Sequence, residues 1–186
     1  MKRFVPLALL FSLLCGCSGG DAELNQAISL RQELLRSSGC HFQTEITADY
    51  GDKMYTFSMD CDVDAQGKVT FTVTKPESLA GISGTVSDVG GNLMFADTEL
   101  AFPLLADEQL SPVSGPWILM KTLRSGYFRA AGIEDGLLCV TIDDSYQEDA
   151  MQLDIWIAEE NTPVRAEILH NGSRILSLAV SNFQIL

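Results

Sequence analysis

The sequence contains little positive charge. Only 12 of its 186 residues are Lys or Arg, against 25 Asp and Glu, so the formal net charge at pH 7 is −13. A nucleic-acid-binding protein needs a basic surface to neutralise phosphates, and this composition excludes nucleic acid as a partner. Hydrophobic residues make up 46% of the chain. That fraction excludes an intrinsically disordered protein and favours a single folded domain at this length.

Histidine is scarce, and the common catalytic motifs are absent. His41 and His170 have neither a second ligand four residues away nor a cysteine pair nearby, so we expect no zinc site. No G-x-S-x-G, P-loop or S-x-x-K motif occurs. Asp60, Asp62 and Asp64 resemble the start of a calcium loop, but the Gly and Glu that such a loop needs at its sixth and twelfth positions are missing. We therefore expect no catalytic residues, no metal and no cofactor.

Long apolar runs are also absent after the N-terminus. Lys2 and Arg3 precede an apolar stretch over residues 4–14. As a helix this stretch would span about 16 Å, too short for a bilayer core of about 30 Å. Such a segment is typical of a signal peptide. The residues that follow, Leu-Cys-Gly-Cys-Ser at 14–18, resemble the lipobox of bacterial lipoproteins.

The lipobox resemblance implies that residues 1–16 are removed and that Cys17 carries a diacylglycerol on its sulfur. The alternative is ordinary secretory cleavage. Residues 17–22 then form a lipidated tether, and residues 23–186 form one domain. Losing Lys2 and Arg3 leaves ten basic residues against 25 acidic ones, a net charge of −15. We expect an exported protein, anchored to the membrane by lipid alone on the outer face of the cytoplasmic membrane or on an outer membrane.

Two strands that follow the predicted helix at residues 23–36 form a hairpin and carry a cysteine each. Residues alternate between apolar and polar side chains from Cys40 to Asp49 and again from Met54 to Val63. With Tyr50 and Gly51 as a two-residue turn, Cys40 lies directly opposite Cys61, and a two-residue shift would make them diagonal neighbours. This geometry favours a disulfide, with two buried free thiols as the alternative. Cys139 is expected to be an unpaired core residue.

The rest of the chain predicts a mainly β (α+β) protein. Further strands are expected at residues 68–74, 82–89, 93–96 and 99–102, with a turn at residues 90–92. A helix over residues 117–124 and strands at 127–131, 137–143, 151–157, 164–168 and 174–183 follow, with a loop between Gly132 and Gly136. The total is ten or eleven antiparallel strands. Two helices are too few to cover both faces of such a sheet, so we expect a curled sheet, or incomplete barrel, with helices on its concave face.

The order of these elements resembles that of the LolA-like lipoprotein carriers and their LppX and LolB types. The resemblance covers residues 24–186 and is carried by residues 34–63, by the phrase VTKPESLAGISG at 73–84, and by the final hairpins at 156–183. It implies an incomplete antiparallel barrel closed by helices, with an apolar cavity between them. Because this chain has its own lipid site, an anchored binder fits better than a soluble shuttle between two membranes.

The inward faces of the first three strands and the second helix supply the candidate cavity lining. Its residues are Phe42, Phe57, Met59, Phe71 and Val73 from the strands, with Trp117 and Met120 closing it from the helix. Large apolar groups without hydrogen-bonding capacity suit an acyl chain, whose binding is driven by apolar area leaving water. The alternative is that these side chains pack as an ordinary core. The expected function is therefore non-enzymatic binding of lipid or another hydrophobic ligand, with a cell-envelope protein partner as the alternative.

Overall fold

The computed structural model describes residues 19–51, 53–106, 109–147 and 150–186. Within these ranges the chain begins with α1 (Gly19–Arg36), which starts four residues earlier than predicted, and forms a second helix, α2 (Gly115–Ser125). The strands before α2 are β1 (Gly39–Asp49), β2 (Met54–Asp64), β3 (Val69–Lys75), β4 (Ser83–Ser87), β5 (Gly90–Phe95), β6 (Thr98–Phe102), β7 (Leu105–Ala106) and β8 (Gln109–Leu110). Those after α2 are β9 (Tyr127–Glu134), β10 (Leu137–Asp143), β11 (Gln152–Ala158), β12 (Thr162–His170) and β13 (Ser173–Ile185).

Eleven of the strands form one antiparallel sheet in the order β6-β5-β4-β3-β2-β1-β13-β12-β11-β10-β9. The first and last long strands, β1 and β13, pair at its centre, while β6 and β9 are its two edges. The sheet is therefore curled but not closed, which confirms the predicted fold class and the number of strands in the main sheet. β7 and β8 form a separate two-stranded hairpin, between residues 102 and 117, where no strand was predicted.

Period-two alternation builds the inner face of the sheet. In β1 the side chains of Phe42, Thr44, Ile46 and Ala48 are buried, and those of Gln43, Glu45 and Asp49 are exposed. Directly opposed residues of neighbouring strands share a face. The buried residues of β1 therefore continue into those of β2 and β3 on one side and those of β13 on the other.

The last strand keeps its apolar residues inside by means of a bulge. The pairing of β13 with β1 shifts between His41 and Gln43, and Asn182 takes a left-handed backbone with a φ of 52°. A bulge adds one residue to one strand and so inverts the alternation beyond it. Val180 is consequently buried on one side of the bulge, and Phe183, on the other side, packs 5.9 Å from the Phe42 ring. This explains why β13 is apolar at both odd and even positions.

Two turns lie one or more residues away from their predicted positions. Ser87 pairs with Gly90, so the β4–β5 turn is formed by Asp88 and Val89, not by residues 90–92. Gly132 pairs with Cys139 inside β9, and the turn that follows lies at residues 135–136. In both cases the glycine that favoured a turn lies within a strand, where glycine also occurs.

Both helices pack on the inner side of the sheet, and two arginines fasten them to each other. Arg31 of α1 donates to the carbonyl of Leu123 at 2.6 Å and stacks 3.8 Å from the Phe128 ring centroid. Arg124 of α2 donates to the carbonyl of Leu34 at 3.2 Å. Each arginine thus satisfies carbonyls left free at the end of the other helix. Neither helix in the described ranges has the length and apolar character needed to cross a membrane.

Candidate functional site

The seven residues predicted to line a cavity form one buried core. Each is at most 8% exposed, and the strand residues share the inner face with the helix residues packed above them. They are Phe42, Phe57, Met59, Phe71, Val73, Trp117 and Met120. Their burial matches the alternative of ordinary core packing, while an open cavity among them stays a prediction.

The apolar inner face continues beyond the helices onto the last strands of one edge. Phe71 of β3 is opposite Gly84, Gly84 is opposite Leu93, and Leu93 is opposite Leu100. In the neighbouring row of inner-face residues, Gly91 of β5 is opposite Phe102 of β6. Helices α1 and α2 contact mainly β9, β10, β12 and β13, on the other half of the sheet. We call Leu93, Phe95, Leu100 and Phe102 the apolar wing.

Exposure increases along the apolar wing toward the edge of the sheet. Leu93 and Phe102 are half-buried and pack against the core, whereas Phe95 and Leu100 are each 61% exposed. Exposed large apolar side chains that adjoin one another are uncommon on a soluble domain and typically mark a binding surface. The sequence pattern predicts that these residues lie in strands, but it gives no sign of their exposure.

Glycines on the inner face make room for aromatic rings from the neighbouring strand. A Cβ at Gly84 would lie 2.8 Å from a ring carbon of Phe71, and one at Gly91 would collide with the ring of Phe102. Each ring therefore covers the backbone of the glycine opposite it. This packing holds the base of the apolar wing against the core.

The two core cysteines are free thiols in the structure, and the predicted register is wrong. Cys40 is opposite Val63, and Cys61 is opposite Phe42, so the cysteines are diagonal neighbours instead of a direct pair. Both are buried, and the structure does not support the predicted disulfide. The shift arises because Asp49 pairs with Met54, which makes the hairpin loop two residues longer than predicted.

Burial dominates the chemistry of these thiols. Desolvation raises the pKa of Cys40 to about 12, offset in part by the positive charge of Arg124. Desolvation also raises the pKa of Cys61, and the charges of Asp60 and Asp62 add to the effect. A thiolate is the reactive form of cysteine, so neither residue is suited to nucleophilic chemistry or to metal binding.

Cys139 was predicted to lie in the core, and the structure places it outside the core. It is opposite Trp156 on the outer face of the sheet and is only half-buried. The Trp156 indole donates to the Glu134 carboxylate at 3.0 Å, and the Arg165 guanidinium lies 3.7 Å from the indole ring centroid. Cys139 is therefore a free thiol, as predicted, but it lies outside the core, opposite a tryptophan held between a carboxylate and a stacked guanidinium.

The outer face also carries a group that could hold a divalent cation. Ligand atoms of His41, Asp60 and Asp62 lie within 4.8 Å of one another. The His41 Nδ1 atom is 3.0 Å from an Asp62 oxygen, and its Nε2 atom is 3.5 Å from an Asp60 oxygen. Gln43 donates to the second Asp60 oxygen at 3.1 Å. These residues come together because β1 pairs with β2 and all three side chains point outward. Their spacing along the chain does not indicate this.

Cys17 and Asp64, which the sequence singled out, belong to none of the sites described above. Cys17, the predicted lipidation site, lies outside the residues that the structure describes. Asp64, the third acidic residue of the calcium-like run, accepts the backbone N–H groups of Gln66 and Lys68 at 2.9 Å each. It therefore stabilises the β2–β3 turn.

The chain is similar to several solved structures at low sequence identity. No family model matches the sequence, and no curated protein matches it. The structure is similar to an uncharacterized conserved protein from Thermus thermophilus, with a TM-score of 0.48, 12% identity, and 88% and 87% of the two chains covered. A LolA superfamily protein from Nitrosomonas europaea gives a TM-score of 0.44 at 8% identity over 91% and 94% of the chains.

Lipoprotein LppX from Mycobacterium tuberculosis gives a TM-score of 0.42 at 18% identity, over 87% of this chain and 93% of that one. Two of the three types named from the sequence, LolA-like and LppX, are among the solved structures that this chain is similar to.

Proposed function

We propose that this protein is a membrane-anchored, extracytoplasmic and non-enzymatic binder of a hydrophobic ligand such as an acyl lipid. The observation that carries the proposal is the apolar wing, where Phe95 and Leu100 are 61% exposed on the same face as the buried core. We place the ligand there because the seven predicted cavity residues already pack against one another. A ligand on the wing would extend the core by one further layer.

The exposed area supports useful binding. A phenylalanine side chain buries about 150–250 Å² when fully covered, so covering the exposed part of Phe95 removes about 120 Å² of apolar surface. At about 25 cal/mol per Å² this contributes about 3 kcal/mol. Leu100 adds a comparable amount, and part of the sum is lost in ordering the ligand.

The anchor follows from the sequence alone. The N-terminal segment of this chain resembles a lipoprotein signal ending at Cys17. Diacyl anchoring would keep the wing near a supply of lipid, while the acidic domain is repelled by anionic headgroups. Replacing Cys17 with Ser should abolish incorporation of labelled fatty acid, and unchanged incorporation would contradict the anchor.

The wing can be tested with a fluorescent fatty acid titrated into the full chain. The double variant Phe95→Ser/Leu100→Ser should weaken capture at least tenfold while the unfolding midpoint changes little, since both side chains are exposed. Met54→Ser/Met94→Ser is the matched control, because Met54 and Met94 are exposed on the opposite face. Equal capture by wild type and the wing variant would refute the placement, and no capture by wild type would refute the function.

A protein partner is the second candidate function. The burial of the seven predicted cavity residues favours it, because the wing could bind an apolar protein surface without any cavity in the domain. Native mass spectrometry of the purified protein separates the two candidates. Co-purifying lipid that is lost in the Phe95→Ser/Leu100→Ser variant supports a lipid binder.

A further inference from the structure

A cleft of about 430 Å³ lies between α2 and the turns that connect β2 to β3 and β4 to β5. The residues that line the cleft include Trp117, Lys121 and Arg124 of α2, Lys68 and Asp88 of the turns, and Leu35 of α1. Four separate parts of the chain form it. No local sequence pattern could therefore indicate it.

The cleft gathers positive charge in an acidic protein. Three cations, Lys68, Lys121 and Arg124, line it against one carboxylate, Asp88, whereas the whole chain carries a net charge of −13. Within residues 19–51, 53–106, 109–147 and 150–186, none of these three cations forms a salt bridge. A cleft with an excess of charge of one sign raises the local concentration of ions of the other sign.

Two of the cations are held in place by uncharged partners. Arg124 donates to the carbonyls of Leu34 and Ala65, the latter at 2.6 Å. These contacts fix the guanidinium without neutralising it. The Lys121 ammonium lies 5.0 Å from the Trp117 ring centroid, a cation–π contact that places its charge directly beside apolar surface.

We infer that this cleft binds the anionic group, phosphate or carboxylate, of an amphiphilic ligand whose apolar part the protein also binds. The inference rests on the proposed function and names the class of its ligand. Lysine and arginine supply the hydrogen-bond donors that phosphate and carboxylate accept. Trp117 and Leu35 provide apolar contacts where the head group joins the tail.

The experiment compares decyl phosphate, decanol and inorganic phosphate as ligands of the full chain, by calorimetry below micelle-forming concentrations. Wild type should bind decyl phosphate at least tenfold more tightly than decanol, although the protein as a whole repels anions. The double variant Lys68→Gln/Lys121→Gln should lose this preference and keep its affinity for decanol. Lys53→Gln/Lys75→Gln, which changes the net charge equally at exposed sites elsewhere, is the matched control and should behave as wild type.

Each other outcome contradicts a definite part of the inference. If both double variants lost the preference for decyl phosphate equally, the effect would be one of net charge, and the cleft would not be the binding site. If inorganic phosphate bound as tightly as decyl phosphate, the inference that the ligand is amphiphilic would be wrong. Decanol and decyl phosphate bound equally by wild type would overturn the head-group inference and leave the proposed function standing. Binding of neither amphiphile would refute the proposed function as well.

Discussion

The buried thiols should make the protein lose stability in mild alkali. A cysteine in the unfolded chain has a pKa near 9.0, while burial raises the pKa of Cys40 to about 12 and also raises that of Cys61. Above pH 9 the unfolded state therefore releases protons that the folded state retains, so the free energy of unfolding falls as pH rises. The stabilisation is fully present below pH 9 and is lost between the unfolded and folded pKa values.

The size of the loss follows from the unfolded pKa. At pH 10, one unit above 9.0, each thiol lowers the free energy of unfolding by about 1 to 2 kcal/mol, and the two together by about 3 kcal/mol. Such a loss is a large fraction of the stability of a typical domain, which is about 5–15 kcal/mol.

Urea unfolding in the presence of a reductant, at pH values from 7.5 to 10, measures this loss. The comparison is between wild type and Cys40→Ala/Cys61→Ala, and only the change with pH matters, because the substitutions themselves leave cavities. Cys139 is present in both proteins, so its titration cancels. If both proteins lose the same stability between pH 8 and pH 10, the reasoning is wrong. Rapid alkylation of Cys40 and Cys61 in the native protein at pH 8 would also refute it.

Two further predictions concern packing in the fold. Gly84→Ala should destabilise the protein by at least about 1–3 kcal/mol through overpacking, because its Cβ would collide with the Asn92 backbone carbonyl and lie 2.8 Å from a Phe71 ring carbon. Gly132→Ala, with nothing within 4 Å of its Cβ, should be nearly neutral in thermal unfolding. Arg31→Met should lower the free energy of unfolding by about 1–3 kcal/mol, because the Leu123 carbonyl loses its donor. Arg36→Met, an exposed change in the same helix, is the control in urea unfolding. An equal effect of the two substitutions would contradict the role given to Arg31.

Strand alternation was predictable from sequence because it is a local property. Residues 40–48 and 55–63 alternate with a period of two, and the structure buries the predicted face of each strand, except that Tyr55 at the start of the β2 pattern is exposed. Helix α2 was predictable for the same kind of reason, since Pro116 suits its first turn and Gly126 follows its last residue. A glycine that caps a helix and a proline that starts one act within a single turn of backbone.

The register of β1 with β2 could not be fixed from the pattern. A shift by two residues keeps every side chain on its face, so the direct and the diagonal arrangement of Cys40 and Cys61 fit the same sequence. The hairpin loop decides between them, and here the Tyr50 N–H donates to the Lys53 carbonyl at 2.9 Å, which makes the loop longer. The structure also places Cys139 outside the core, because its strand pairs it with Trp156 on the outer face.

By itself, the sequence determined the class of fold, the strands that are apolar on one face, and the resemblance to a lipoprotein signal at Cys17. Only the tertiary structure decided which apolar residues stay exposed. Leu93 and Leu100 differ little in their local sequence, yet one is half-buried and the other is 61% exposed. The cationic cleft was equally hidden, because Lys68 and Lys121 are far apart in the chain. Burial and charge at such sites depend on the packing of distant elements, and that packing is a non-local property that no short stretch of sequence contains.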